Sequence, residues 1–275
     1  MRKNISIAIL GAGNIGISIA KGLHQSRSFP PENITLTRRN IQLLNKMKNL
    51  GFKTEKQNIA AVNNSEIVLL AVEPQQLDTL LEEIGSKLIQ GKHTVISVVS
   101  GVPIRQISER INKRVDIVRA MPNTAIAVRE SITCLASEKP HGKEIKIAES
   151  IFKTVGKTLV IDEECMIAAT ALGACGIAFF LRAVRAASQG GIEVGFNSED
   201  AIKIAAQTAK GAGSLLLSSD NHPEYEIDRV TTPRGCTISG LNHMEHEGFS
   251  SAMIKGIITS ADKASRLYTG EKGNK

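Results

Sequence analysis

Tryptophan is absent from the 275-residue chain and tyrosine occurs only twice, which leaves little aromatic surface on which nucleic-acid bases would stack. The four cysteines, Cys134, Cys165, Cys175 and Cys236, form no CxxC pair. That argues against a zinc knuckle and a disulfide framework and points to a reducing cytoplasm. No basic tract stands out either. The 34 Lys and Arg against 27 Asp and Glu leave a net charge of +7, but they are scattered, which reads as a bias toward anionic small molecules rather than a nucleic-acid surface. No apolar run approaches the ~18 residues of a membrane span, so a bilayer-spanning chain is not expected. The opening MRKNISIAIL sets a basic pair before an apolar stretch, yet the stretch is too short for a secretory core and leads into a glycine loop, as a first β-strand does. What is present is 42% hydrophobic residues, enough for one large core or two modest ones.

The chain divides into unlike halves, 1–162 and 163–275. In the first, short β-branched runs at 5–10, 34–37, 67–72, 94–99, 115–119, 132–136 and 158–161 alternate with helix-length segments. That alternation predicts βαβ units and a mostly parallel, doubly wound sheet. In the second, Ala, Gly and Leu dominate long stretches such as 168–194 and 201–217 with no period of two, so this half is expected to be all helical. Helices apolar on more than one side need a partner to cover them, which predicts a homodimer joined through the helical half. The polar tail from Thr269 to Lys275 is expected to fray.

Gly11-Ala12-Gly13-Asn14-Ile15-Gly16 follows the first strand and precedes a helical run at 17–24, the setting in which a GxGxxG match signifies dinucleotide binding. Gly11 suits the tight turn, Gly13 the approach of a pyrophosphate, and Gly16 close helix–strand packing. The amides of Asn14, Ile15 and Gly16 then face the phosphates. An NAD site would place an acid ~20 residues beyond the loop to bind the ribose 2′-hydroxyl. Here the second strand ends in Thr37-Arg38-Arg39-Asn40, a hydroxyl and two guanidinium groups suited to a 2′-phosphate. NADPH is the expected cofactor, with NADH a weaker substitute; a solvated turn is the other reading for either arginine singly.

Further sets stand at predicted strand ends: Ala71-Val72-Glu73-Pro74, Ser97-Val98-Val99-Ser100-Gly101 and Arg119-Ala120-Met121-Pro122-Asn123-Thr124. With Val230-Thr231-Thr232-Pro233-Arg234-Gly235-Cys236-Thr237 and the following Gly240-Leu241, Met244-Glu245 and Gly248-Phe249, they resemble the pyrroline-5-carboxylate reductase family over nearly the whole chain. The resemblance implies a Rossmann-type domain, a helical dimerisation domain, and NAD(P)H-dependent reduction of a cyclic imine to L-proline, the last step of proline biosynthesis. It implies that Thr237 bonds the ring nitrogen while amides around Gly235, Cys236 and Thr237 hold the substrate carboxylate. It also implies that Asn58 lies near the adenosine ribose, that Ala71, Val72 and Pro74 line the cofactor cleft, and that Met121, Pro122 and Asn123 border the nicotinamide. The structural alternatives are a helix cap for Thr237, a cap for Asn58, and a tight turn at 121–123.

Three departures from the family pattern stand out. Arg234 replaces a glycine, Gly173-Ala174-Cys175-Gly176-Ile177-Ala178 replaces a stretch with two serines and a proline, and Glu73 replaces a lysine. Rival readings are a reductase of another cyclic imine, a β-hydroxyacid enzyme, and an NADPH-binding regulator without turnover. The second needs a helical-domain lysine, whereas residues 177–191 carry Arg182 and Arg185. His243 and His246 stand three apart without the HExxH order or an evident third ligand, so no metal is expected. If the arginines hold a 2′-phosphate, replacing both Arg38 and Arg39 by Ala raises the KM for NADPH far more than that for NADH in steady-state assays. Equal effects on both contradict the assignment.

Overall fold

The computed structural model describes residues 5–269. The first half runs β1 (Ile7–Leu10), α1 (Asn14–Gln25), β2 (Ile34–Thr37), α2 (Asn45–Asn49), β3 (Lys53–Glu55), α3 (Asn58–Asn63), β4 (Ile67–Leu70), α4 (Pro74–Ile84), β5 (Thr94–Ser97) and α5 (Ile104–Ile111). It continues with β6 (Asp116–Met121), β7 (Ser131–Ser137), α6 (Lys143–Phe152) and β8 (Gly156–Val160). The strands form one sheet in the order β3-β2-β1-β4-β5-β6-β7-β8. All neighbours are parallel except β6 and β7. The order reverses between β1 and β4, the place where open α/β sheets bind ligands.

The sequence of each strand accounts for its place. β1 (IAIL) and β4 (IVLL) are apolar at every position and buried throughout, as central parallel strands covered on both faces must be. Their alternate residues feed two cores. Ile7, Ile9, Ile67 and Leu69 pack with Ile19, Leu23 and Phe152. Ala8, Leu10, Val68 and Leu70 pack with Leu77, Leu81 and Ile107. The covering helices supply apolar stripes of helical period, such as Ile104, Ile107 and Ile111 of α5. Each fully buried Leu or Ile contributes roughly 1.5–3 kcal/mol.

The second half is helical throughout its described residues: α7 (Met166–Ala169), a π-helical segment (Thr170–Cys175), α8 (Gly176–Glu193), α9 (Ser198–Ser218), α10 (Pro223–Arg229), α11 (Cys236–His246) and α12 (Phe249–Thr269). The tail expected to fray lies, beyond Thr269, outside the described residues. The chain separates into two compact units, one running up to Cys175 and resuming from Ala261, the other Gly176–Ser260.

Two expectations need correction. The sequence pattern holds no strand at Lys53-Thr54-Glu55, yet β3 forms there: it is a three-residue edge strand with no apolar position, so hydrophobic periodicity carries no trace of it. The expectation of no span-length apolar run also fails. Glu163–Glu193 is 31 residues of continuous helix whose best window has a mean hydropathy of 1.9 and is 11% buried, long and apolar enough to cross a bilayer by length and composition. Its apolar residues are interrupted by Gly, Ala and Ser, which hides the run from inspection. In the Gly176–Ser260 unit Phe180, Leu181, Val194 and Leu217 are likewise exposed.

His93, at the start of β5, is buried; its Nδ1 accepts the Ile89 amide at 2.8 Å and its Nε2 lies 3.3 Å from the Val62 carbonyl. Burial, then the charge of Lys92, lowers its pKa from the ordinary 6.5. The folded state thus favours the neutral ring, and the unfolded chain binds the proton more readily. Its stabilising contribution is complete above pH ~6.5 and is lost as pH falls through the lowered value. Denaturant unfolding at pH 7.5 and pH 5 should show a loss at the lower pH that is smaller in His93→Gln; an identical loss in the variant contradicts this role.

Candidate cofactor and substrate sites

The first and last glycines of the turn are held by contacts that leave no room for a side chain. Gly11 takes φ +85, and a Cβ there would stand 2.6 Å from Val72 Cγ1 and 2.8 Å from the Ala71 carbonyl oxygen. At Gly16 the nearest atom would be Ile9 Cγ2 at 3.0 Å, so helix α1 lies tight on β1. At Gly13 nothing is closer than the Gly11 carbonyl oxygen at 4.0 Å, so that side of the turn is open to an incoming group. Helix α1 has no side-chain cap and no acid in its first turn, and the amides of Asn14, Ile15 and Gly16 have no acceptor within the helix. Such a terminus favours an anion.

A cleft of about 460 Å³ opens beside the turn. It is lined by Gly11, Gly13, Thr37, Arg38, Arg39, Asn58, Ala71 and Val72, which the sequence singled out, together with Asn40, Leu43, Lys56, Glu73, Gln76, Thr79, Leu80 and Glu83. Asn14, Ile15, Gly16 and Pro74 flank it at the starts of α1 and α4. Lys56 and Glu83 had no signal in the sequence: the first follows the unrecognised β3, and the second sits in an ordinary amphipathic helix. Thr37 is buried, its hydroxyl accepting the Gly11 amide at 3.4 Å and donating to Asn58 Oδ1 at 2.6 Å. Its proton is therefore committed to Asn58, and Arg38, Arg39 and Lys56 are the cations left to face a phosphate. Arg38 Nη1 reaches the Ala12 carbonyl at 3.2 Å, while Arg39 is exposed. The set fits a phosphorylated dinucleotide: open backbone at Gly13, uncapped amides and cations on one rim.

Several alternatives resolve locally. Asn58 is no cap: Gln57 holds that position, and Asn58 Nδ2 donates to Glu83 Oε2 at 2.9 Å. Glu73 is exposed and caps α4 in a reciprocal arrangement with Gln76, Pro74 following as the first helical residue. The charge reversal there has a structural use. Met121, Pro122 and Asn123 are buried and do not line the cleft. Asn123 Oδ1 accepts the Ala125 amide, and its Nδ2 donates to the Gly173 carbonyl, each at 3.1 Å. The turn reading accounts for these contacts. Gly173 belongs to the π-helical segment, where a widened turn frees carbonyls.

In the Gly176–Ser260 unit the Gly235 amide donates to the Thr232 carbonyl at 2.9 Å. Pro233 leads that turn and Arg234 follows at φ +59, the pattern of a type II turn, which prefers Gly at its third position. Gly235 is the N-cap of α11, without a side-chain cap bond or an acid in the first turn. Thr237 is exposed, the second residue of that helix, and among the described residues its hydroxyl has no hydrogen-bond partner. A capping role for Thr237 is therefore not what the structure has. Cys134 is buried, which raises its thiol pKa, and Cys165, Cys175 and Cys236 are free. Among the described residues no group of three His, Cys, Asp or Glu side chains is placed to hold a metal.

Residues 163–267 match the family model for pyrroline-5-carboxylate reductase dimerisation, and residues 6–101 match that for a coenzyme F420-dependent NADP oxidoreductase. The chain is 52% identical to pyrroline-5-carboxylate reductase 1 of Dictyostelium discoideum, over 98% of its own length and 51% of that protein's, so it spans about half of this relative. It is 46% identical to pyrroline-5-carboxylate reductase 2 of the same organism, over 97% of its own length and 94% of that protein's. Among solved structures, a pyrroline-5-carboxylate reductase from Coxiella burnetii superposes with a TM-score of 0.90 at 29% identity, covering 96% of this chain and 99% of that one. The fold is also that of a Plasmodium falciparum pyrroline carboxylate reductase solved with NADP bound, with a TM-score of 0.86 at 24% identity over 96% of this chain and 98% of that one.

Arg234 in the left-handed region costs about 1–2 kcal/mol relative to a residue at ease there, and glycine returns part of that gain in unfolded-state entropy. Arg234→Gly should therefore stabilise the protein by about 0.5–1 kcal/mol and raise its thermal midpoint by about 2 °C. A lowered midpoint in a thermal melt contradicts the strain.

Proposed function

The chain belongs to the pyrroline-5-carboxylate reductase family, and on that premise we propose that it reduces 1-pyrroline-5-carboxylate to L-proline, with NADPH preferred over NADH. The observation that carries this reading is the uncapped glycine turn with its arginine rim; the Pro233–Thr237 turn, described within its own unit, supports it. The family match of residues 6–101 to an NADP oxidoreductase supports the cofactor.

When bound, a reduced nicotinamide would supply the hydride for the imine carbon. Everything else falls to the chain. The amides of Asn14, Ile15 and Gly16 would receive the pyrophosphate beside the open backbone at Gly13, whose own amide is held by the Gly11 carbonyl at 2.7 Å. Arg38 and Arg39 would take the 2′-phosphate, Asn58 would border the ribose, and Ala71, Val72 and Pro74 would wall the cleft. Met121, Pro122 and Asn123 would border the nicotinamide, in a turn held by the Asn123 bonds to Ala125 and Gly173. The uncapped amides of Cys236 and Thr237, which follow the Gly235 N-cap, hold the substrate carboxylate at the start of α11, where the helix dipole favours negative charge; the Gly235 amide itself is taken by the Thr232 carbonyl and shapes the turn. A cyclic imine is basic enough to take its proton from solvent, so the iminium N–H donates to Thr237 Oγ1 and no general acid is required. Binding and orientation do the rest.

Residues 1–162 and 163–275 divide these tasks as dinucleotide-binding and helical substrate domains. The chain forms homo-oligomers through the dimerisation region. We read the basic assembly as a homodimer in which a second copy covers the apolar face of Glu163–Glu193, rather than a lipid or a nucleic acid. Four free thiols, two of them exposed, support a cytoplasmic setting.

NADPH oxidation with DL-pyrroline-5-carboxylate should yield proline. In Thr237→Ala kcat/KM should fall about 10- to 100-fold, the range of a hydrogen bond to a charged group, with the thermal midpoint unmoved because the hydroxyl caps nothing. NADPH binding without oxidation would instead favour the regulator.

A further inference from the structure

Glu83 occupies the last turn of α4, where the helix C-terminus disfavours negative charge and no basic residue accompanies it. Its carboxylate is nevertheless tied to the cleft. A directed chain runs from the Gly11 N–H to Thr37 Oγ1 at 3.4 Å, from the Thr37 hydroxyl to Asn58 Oδ1 at 2.6 Å, and from Asn58 Nδ2 to Glu83 Oε2 at 2.9 Å. A carboxylate can only accept, so Glu83 fixes which end of the Asn58 amide faces Thr37. Oδ1 must then take the Thr37 proton, and only lone pairs remain on Oγ1 for the Gly11 amide. Remove Glu83 and the amide is free to turn over, presenting a donor to Thr37 and leaving the hydroxyl proton without its acceptor.

We propose that Glu83 is a positioning residue for dinucleotide binding, acting through Asn58 and Thr37 on the glycine turn. The inference rests on reading this cleft as the dinucleotide site. Glu83 orients polar groups that the cofactor meets, in the manner of outer residues that fix metal or catalytic ligands. The glycine turn faces the pyrophosphate, which NADPH and NADH share, so the effect of losing Glu83 falls on both dinucleotides equally. That separates it from the arginine rim, whose loss selects against NADPH.

The test is direct binding of NADPH and of NADH to the full chain, followed by the change in reduced-nicotinamide fluorescence, which no tryptophan complicates. Glu83→Ala should weaken both by about fivefold, and Glu83→Gln, which keeps an acceptor oxygen, should recover part of the loss. The double variant Thr37→Val with Glu83→Ala should bind no worse than Thr37→Val alone, as expected for residues acting in one chain. Unchanged binding in Glu83→Ala, a loss confined to NADPH, or additive losses in the double variant each overturn the proposal. If the unaltered chain binds neither dinucleotide, the reading of the cleft falls, and this inference with it.

Discussion

The approach of the Gly11 turn to the end of β4 is the constraint on which the rest of the first unit depends. Two fully buried parallel strands bring the backbones of Gly11 and Ala71 together, at a distance that no Cβ on Gly11 would tolerate. That approach sets the direction of α1, aims its first amides outward, and brings Thr37, Asn58 and Val72 to a single cleft. The same strands divide the apolar residues into two cores by simple alternation. The anion-binding end of the fold is thus a by-product of how β1 and β4 are covered, and a mutation in either core acts on the cleft through the turn.

The second unit follows different physics. Its helices expose Phe180, Leu181 and Leu217, and the turn after α8 exposes Val194; a chain that left these in water would aggregate or assemble. Residues 163–267, which include these, match a family dimerisation model. The turn before α11 illustrates a compromise of another sort. Pro233 presets it, Gly235 leaves the helix start uncapped, and Arg234 bears the positive φ that a glycine would take more easily. A strained, uncapped helix start is poorly suited to stability alone, and strain of this kind gathers where ligands are held.

Much of this was legible in the residues. The seven apolar runs all became strands, and the GxGxxG spacing led to the turn it describes, because burial on both faces and positive φ leave strong marks on composition. What escaped notice has local or tertiary causes. Lys53–Glu55 pairs through its backbone alone, so its side chains say nothing. Glu83 and Lys56 reach the cleft only because α4 and β3 end beside it. The π-helical turn at Thr170–Cys175 depends on a carbonyl taken by Asn123, fifty residues earlier in the chain. Glu73 stands out from the family pattern only as the replacement of a lysine, and its pairing with Gln76 as a cap depends on where α4 begins, which the residues alone do not mark.

A reductase of this kind moves a hydride from the nicotinamide to the imine carbon, and isotope labelling follows that atom. Incubation with 1-pyrroline-5-carboxylate and NADPH deuterated at the transferable position of the nicotinamide should give proline carrying one deuterium on the former imine carbon, as read by mass spectrometry. Unlabelled proline, or no proline while NADPH remains bound and unoxidised, would contradict it.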